Sequence, residues 1–180
     1  LLWQNLTTPV EIVALYPAAE ANTFSGVYSK ENNTIGTITY GVKSDQSTAD
    51  EANDLLLYHK ANFVPKKDRQ DGKLDIQFNH AFCRVDIEVT IGSEFNATNG
   101  LAANPIQGIR VEGTKISADI SFASAETTIT AKGDAASIIP TPGTFTSAAS
   151  ATAQAVARYS CIVIPQTADL NIVLHTSDRE

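Results

Sequence analysis

Residues 74–91, with the sequence LDIQFNHAFCRVDIEVTI, constrain the fold more than any other stretch of this chain. Apolar side chains occupy the even positions from Leu74 to Phe78 and the odd positions from Cys83 to Ile91. An alternation with a period of two is typical of a β-strand that buries one face. The stretch therefore predicts two half-buried strands whose buried faces are out of phase.

The change of phase falls around His80. A slip of one residue moves every later side chain to the opposite face of a sheet, so the chain must be irregular at this point. One explanation is a β-bulge inside a single long strand. The other is that the strand leaves one sandwich at Phe78 and enters a second near Phe82. Periodicity alone does not distinguish between them.

Short alternating segments recur along the rest of the chain. They predict strands at residues 10–16, 35–42, 106–112, 116–122, 126–131, 158–165 and 170–175. Gly113 and Thr114 separate two of these strands and predict a β-hairpin. The apolar cluster at residues 55–58 fits a strand or a helical turn, and residues 138–157 are predicted to form a long loop. Many short strands with almost no helix indicate an all-β sandwich.

The last predicted strand has an apolar side that needs a neighbour. Leu170, Ile172 and Leu174 lie on that side, and only five residues follow His175 in the sequence. In antiparallel folds the neighbour is usually the next arm of a hairpin, and none follows here. Either an earlier strand covers this edge, or the edge leaves a groove and a row of unpaired backbone groups.

Charge and motifs argue against several classes of function. The formal net charge of -7 is unfavourable for binding nucleic acid. No apolar run approaches the roughly 20 residues that a membrane-spanning helix requires. No motif of a hydrolase, a metalloprotease or a nucleotide-binding protein occurs, so neither catalytic residues nor a cofactor is predicted. His59 and His175 share no ligand spacing with an acidic cluster, so no metal site is predicted either.

The histidine at the phase change and the two cysteines are expected to be structural. His80 and Cys83 are three residues apart, which places them on opposite faces of a regular strand and argues against a catalytic pair. His80 is predicted to bond to the backbone through its ring nitrogens. Cys83 and Cys161 both lie in apolar strand patterns, where a thiol is a small buried hydrophobe, and a disulfide between them stays an open alternative.

Three pieces of the chain resemble one known family. Residues 78–87, FNHAFCRVDI, are similar to the F-x-H-A-hydrophobic-x-[KR]-V-x-hydrophobic segment of the fimbrillin (FimA-like and Mfa-like) pilins of Bacteroidetes. Residues 45–47, DQS, followed by residues 54–56, DLL, resemble the D-Q-S and D-L-[LM] stretch of that family. Residues 162–166, IVIPQ, resemble its apolar strand end before P-Q. The pieces also occur in the order in which the family has them.

The resemblance implies a fold and a domain organisation. It implies two transthyretin-like antiparallel β-sandwich domains, one within residues 1–79 and one within residues 80–180, either of which can be incomplete. The crossover between the domains would then lie at Phe78, His80 and Phe82.

The resemblance also implies a function. The chain would be exported as a lipoprotein precursor, lose an N-terminal piece by proteolysis and polymerise with other pilin subunits. It would form a fimbrium at the outer-membrane surface of a Gram-negative bacterium, where a host protein or glycan could be a further partner. We therefore expect a structural or accessory pilus subunit and not an enzyme. β-Strand addition would occur at the edge formed by Leu170, Ile172 and Leu174.

A second function is suggested by the aromatic residues. The first third of the chain contains Trp3, Tyr16, Tyr28, Tyr40 and Tyr58. If several of these rings faced solvent together, they would stack on sugars, and the chain would be a surface glycan-binding or adhesin module that does not polymerise. The alternation of most of them within predicted strands favours core packing instead.

Overall fold

The computed structural model describes residues 5–17, 28–29 and 34–176, which form β-strands joined by turns and loops. The strands are β1 (Val10–Tyr16), β2 (Tyr28–Ser29), β3 (Thr34–Ile35), β4 (Thr37–Gly41), β5 (Leu56–Phe63), β6 (Asn79–His80), β7 (Cys83–Ile91), β8 (Ile106–Thr114), β9 (Ser117–Ser121), β10 (Thr128–Lys132), β11 (Ala136–Ile138), β12 (Thr141–Thr146), β13 (Ala155–Val163) and β14 (Asn171–Thr176). The helical elements among these residues are α1 (Pro65–Asp68) and two 3-10 turns, Glu51–Asn53 and Ser93–Phe95. The predicted all-β class is confirmed.

The named strands pair only in the antiparallel sense. They build three-stranded sheets with the orders β1-β5-β6, β10-β9-β4, β11-β8-β14 and β12-β13-β7, and β2 pairs with β3. The ring of His59 on β5 meets Phe122, just after β9, edge to face at a centroid distance of 5.3 Å, so the first two sheets pack against each other. Buried side chains from all four three-stranded sheets form one connected core.

The stretch around the phase change passes from one sheet to another. β6 pairs with β5 through His80 and Leu56, and the chain then bends at residues 81–82. β7 pairs with β13 over its whole length, from Cys83 to Ile91. The chain thus changes sheets at the phase change, from β6 beside β5 to β7 beside β13.

The strand predicted at residues 74–78 is wrong. No strand forms there, and Ile76 and Phe78 are 36% and 42% exposed. The alternation makes this segment suitable for a sheet, but β5 pairs only with the two residues that follow it, Asn79 and His80. Residues 74–78 therefore have the pattern of a strand and no partner within the described chain.

The predicted hairpin between residues 106–112 and 116–122 is also wrong. Both strands exist as β8 and β9, but β8 pairs with β11 and β14, whereas β9 pairs with β10 and β4. The side chain of Gln166 accepts a hydrogen bond from the Lys115 amide at 2.9 Å and donates to the Thr114 hydroxyl at 2.9 Å. The residues between β8 and β9 therefore bond to Gln166, and the two strands do not pair with each other. The pairing of β4 with β9 also joins strands from both sides of residue 79, and the domain boundary at 79/80 stays a prediction.

Residues 138–157 do not form the long loop that was predicted. They contain the end of β11, all of β12 and the start of β13. The prediction failed because small side chains can also be buried: Ala155 and Ala157 on β13 are part of the core. The ambiguous cluster at residues 55–58 forms a strand from Leu56 onward, where β5 begins.

Both cysteines are free thiols in different surroundings. Cys161 lies opposite Val85, and Cys83 lies opposite Val163, so the two thiols are not directly paired across β13 and β7. Burial, with a smaller contribution from the Asp86 carboxylate, raises the pKa of Cys161 to about 11. Cys83 is exposed.

This difference predicts one reactive thiol in the folded protein. The thiolate is the nucleophile, so Cys161 should stay protonated and shielded at mildly alkaline pH while Cys83 reacts. Titration with Ellman's reagent should count one thiol in the native chain and two after denaturation. The Cys83→Ser variant should lose the fast reaction, and the Cys161→Ser variant should keep it. A native count of none, or two equally fast thiols, would contradict this arrangement.

Candidate assembly site

The strand β14 has an uncovered core side. Within the described residues it pairs with β8 alone, with Ile172 opposite Val111 and Leu174 opposite Ile109. Directly opposite residues in an antiparallel pair point to the same side of the sheet. Val111 and Ile109 are 1% and 5% exposed, whereas Ile172 and Leu174 are 51% and 41% exposed. The core layer that covers β8 therefore does not extend over β14.

The composition of β14 gives this edge little protection. Natural edge strands are usually kept from pairing by lysine, proline, inward-pointing charges or bulges. The sequence of β14, NIVLHT, contains no lysine, proline or acidic residue, and the irregularity in its pairing with β8 lies at its end, between His175 and Thr176. Leu170 and Val173 are exposed as well, so apolar surface is available along most of the strand.

Two residues outside β14 fix where it begins. Gly113, at the end of β8, has a φ of +85°, and a Cβ there would lie 2.4 Å from the carbonyl oxygen of Asp169. Only glycine allows the turn before β14 to approach β8 so closely. Gln166 donates to the carbonyl oxygens of Lys115 and Ile164, both at 3.1 Å. These contacts hold the chain from β13 against the start of β9 and bring β14 beside β8.

A second glutamine, Gln46, stabilises the sheet β12-β13-β7. Gln46 is buried, and its amide donates to the Ile162 carbonyl at 2.9 Å and accepts from the Ile162 amide at 2.8 Å. β12 pairs with β13 only as far as Ser160. The Gln46 side chain thus takes the place of a neighbouring strand where β12 no longer reaches.

The predicted crossover residues lie in different surroundings. Phe82 is buried and meets the ring of Tyr40 at a centroid distance of 6.0 Å, whereas Phe78 is exposed. His80 is exposed, and its Nδ1 lies 2.7 Å from Oδ1 of Asp54. The sequence predicted backbone partners for His80, but this partner is a carboxylate.

These contacts bring together the three pieces that carry the family resemblance. Gln46 in DQS bonds to Ile162 in IVIPQ, and Asp54 in DLL contacts His80 in the central piece. The central piece pairs with the last one, with Arg84 opposite Ile162. Sequence reasoning missed these contacts, because Gln46 lies in a polar segment, residues 44–53, and its partner Ile162 is 116 residues away.

Two of the described aromatic residues of the first third, Tyr16 and Tyr40, lie in different surroundings. Tyr40 is buried, and its hydroxyl donates to the Ala52 carbonyl at 2.8 Å. Tyr16 is exposed, and the hydrogen bond from its hydroxyl to Glu51 at 2.9 Å raises the pKa of the phenol. Trp3 and the side chain of Tyr28 lie outside the described residues. The glycan-binding alternative stays a prediction.

Residues 5–17, 28–29 and 34–176 contain no group of three or more His, Cys, Asp or Glu side chains that could hold a metal ion. Over the same ranges, no helix has the length and apolar character needed to cross a membrane.

An all-β sandwich with an uncovered apolar edge strand is typical of proteins that associate through their sheets. The family described as "Fimbrillin-like" matches residues 2–179, and the chain belongs to it. This confirms the resemblance noted in the sequence. No curated protein and no solved structure matches the chain significantly. The family is one of structural pilus subunits, and membership implies a location at the cell surface.

Proposed function

We propose that this chain is a structural or accessory subunit of a fimbrium that joins its neighbours by β-strand addition at β14. One observation carries the proposal: Ile172 and Leu174 are half exposed on the side of the sheet where their neighbours on β8 are buried. A strand from another subunit would bond to the outer edge of β14 through its backbone and cover these side chains with its own.

The free energy available at this edge supports such a contact. Fully burying a Leu or Ile side chain stabilises by about 1.5–3 kcal/mol, so completing the burial of two half-exposed ones contributes about 2 kcal/mol. Each backbone hydrogen bond along the new pair adds about 0.5–1.5 kcal/mol. The added strand can also cover Leu170, which is exposed just before β14.

The finer organisation belongs to the same proposal. It comprises two transthyretin-like sandwiches with a crossover at Phe78, His80 and Phe82, export as a lipoprotein precursor, and adhesion to a host protein or glycan from the outer-membrane surface. The proposed boundary between the two domains at residue 79 needs one exception, because β9 and β10 lie after residue 79 but share a sheet with β4. The later half of the chain would thus contribute a hairpin to the first sandwich.

Assembly of the full-length, protease-matured protein tests this function. We expect species of high mass in size-exclusion chromatography with light scattering, and filaments in negative-stain electron microscopy. The same protein with Ile172→Arg and Leu174→Arg is the control and should stay monomeric. A matured protein that remains a monomer and never forms filaments would contradict the proposed function.

A further inference from the structure

We infer that residues 74–78 of a second copy of this chain form the strand that adds to β14. This inference rests on the proposed function of β14 as an acceptor edge, and it names the donor. The donor segment, defined as residues 74–78 with the sequence LDIQF, has the alternation of a strand but forms none.

The donor segment is unpaired and exposed. Its backbone groups make no hydrogen bond to other backbone groups within the described residues. Ile76 and Phe78 expose 36% and 42% of their surface. The segment is held at both ends, because Gln70 and Lys73 bond to each other through their backbones before it and His80 pairs with Leu56 after it. An apolar, strand-forming segment is thus presented on the surface of the folded chain.

The donor segment fits the acceptor edge in length and in the spacing of its apolar side chains. It has five residues, and β14 has six. In a paired strand Leu74, Ile76 and Phe78 point to one side. On β14 that side can only be the one on which Ile172 and Leu174 are uncovered, since the opposite pairing would leave both apolar sets in water.

The polar side of the donor segment is compatible with its acceptor. With the apolar residues facing the core, Asp75 and Gln77 face the other side of the sheet. That side of β14 and β8 forms a shallow depression lined by Arg110, Val173 and His175. The Asp75 carboxylate would then lie on the same side as Arg110 and Glu112 of β8, a surface that carries both signs of charge, so the apolar residues set the orientation of the strand.

The two surfaces define how copies connect. The donor segment and β14 are different parts of the chain, so each copy can give a strand to one neighbour and receive one from another. Such a heterologous contact produces an open filament unless the rotation between copies closes a ring. A contact between two β14 strands would instead stop at a dimer.

Complementary variants test the inference. The acceptor-blocked variant is Ile172→Arg/Leu174→Arg, and the donor-blocked variant is Ile76→Asp/Phe78→Asp. All four positions are exposed, so both variants should keep the far-UV circular dichroism of the parent. Each variant alone should lose filaments, because a growing chain needs both surfaces. A mixture of the two should form a two-subunit complex and nothing larger, since only one intact donor and one intact acceptor remain. The control Gln77→Asp puts a negative charge on the polar side of the same segment and should still assemble.

A peptide experiment gives an independent readout that does not depend on the folding of variants. A synthetic peptide of residues 73–79 should inhibit filament growth of the parent chain, and the same peptide with Asp at positions 76 and 78 should not.

The outcomes separate this inference from the proposed function. If the donor-blocked variant forms filaments like the parent while the acceptor-blocked variant does not, β14 accepts a different strand, such as one from elsewhere in the precursor, and only the inference is wrong. If both variants form filaments, strand addition at β14 is wrong as well. A mixture that stays monomeric, or a peptide without effect, also overturns the inference.

Discussion

The Ile172→Arg/Leu174→Arg variant should fold as the parent chain does and lose filament formation. Both side chains are about half exposed on β14, so a guanidinium at either position can reach water in the isolated chain. In the assembled form an added strand would enclose both positions. Burying a charge without a partner costs several kcal/mol, which exceeds the roughly 2 kcal/mol gained by completing the burial of the native pair. Light scattering of the purified variant measures the loss.

A matched control separates this effect from a general effect of added charge. Thr152 and Gln154 are exposed residues just before β13. The Thr152→Arg/Gln154→Arg variant carries the same added charge and should assemble like the parent. Filaments of normal length from the β14 variant, with an unchanged thermal unfolding temperature, would mean that this edge takes no part in assembly.

The Gln46→Ala variant should lose about 2–6 kcal/mol of unfolding free energy. The Gln46 side chain satisfies both the amide and the carbonyl of Ile162, which lies where β12 no longer pairs with β13. Leaving a buried polar group without its partner costs about 1–3 kcal/mol, and two such groups lose their partner here. Urea denaturation should show a lower midpoint with an unchanged slope, because the surface exposed on unfolding stays nearly the same.

Gln154→Ala is the matched control for this variant. Gln154 is exposed, and no hydrogen bond of its side chain is found within the described residues. A substitution at such a position changes stability by about 0.5 kcal/mol or less. Equal urea midpoints for the Gln46 and Gln154 variants would show that the glutamine bridge to β13 does not stabilise the fold.

Strand positions were the part of the fold that the sequence predicted well, because strand formation leaves a local pattern. The alternation from Cys83 to Ile91 coincides with β7, and the apolar run at Val10–Tyr16 coincides with β1. The pairing of β8 with β14 joins segments about sixty residues apart. The local pattern of a segment does not identify the strand with which it pairs. Residues 74–78 show that the pattern does not guarantee a strand. Their alternation is as regular as that of β7, but they form no strand and have no partner within the described residues.

The candidate site could be predicted only in part. Alternation and position in the sequence selected Leu170, Ile172 and Leu174, but their exposure depends on how far the opposite layer extends, which is a property of the packed core. Gln46 belongs to the DQS piece of the family resemblance, but the resemblance did not predict its hydrogen bonds. Its partner Ile162 lies 116 residues away, and side-chain bonds to a distant backbone leave no periodic signal.

Amide hydrogen exchange of β14 in the isolated and the assembled protein tests the central claim most directly. In the isolated chain, the amides of residues 171–175 that point away from β8 should exchange rapidly, because that edge of the sheet is open. In filaments the same amides should become strongly protected, while amides of β13, which has strands on both sides, should change little. Filaments in which the outer amides of β14 exchange as fast as in the monomer would contradict assembly by strand addition at this edge.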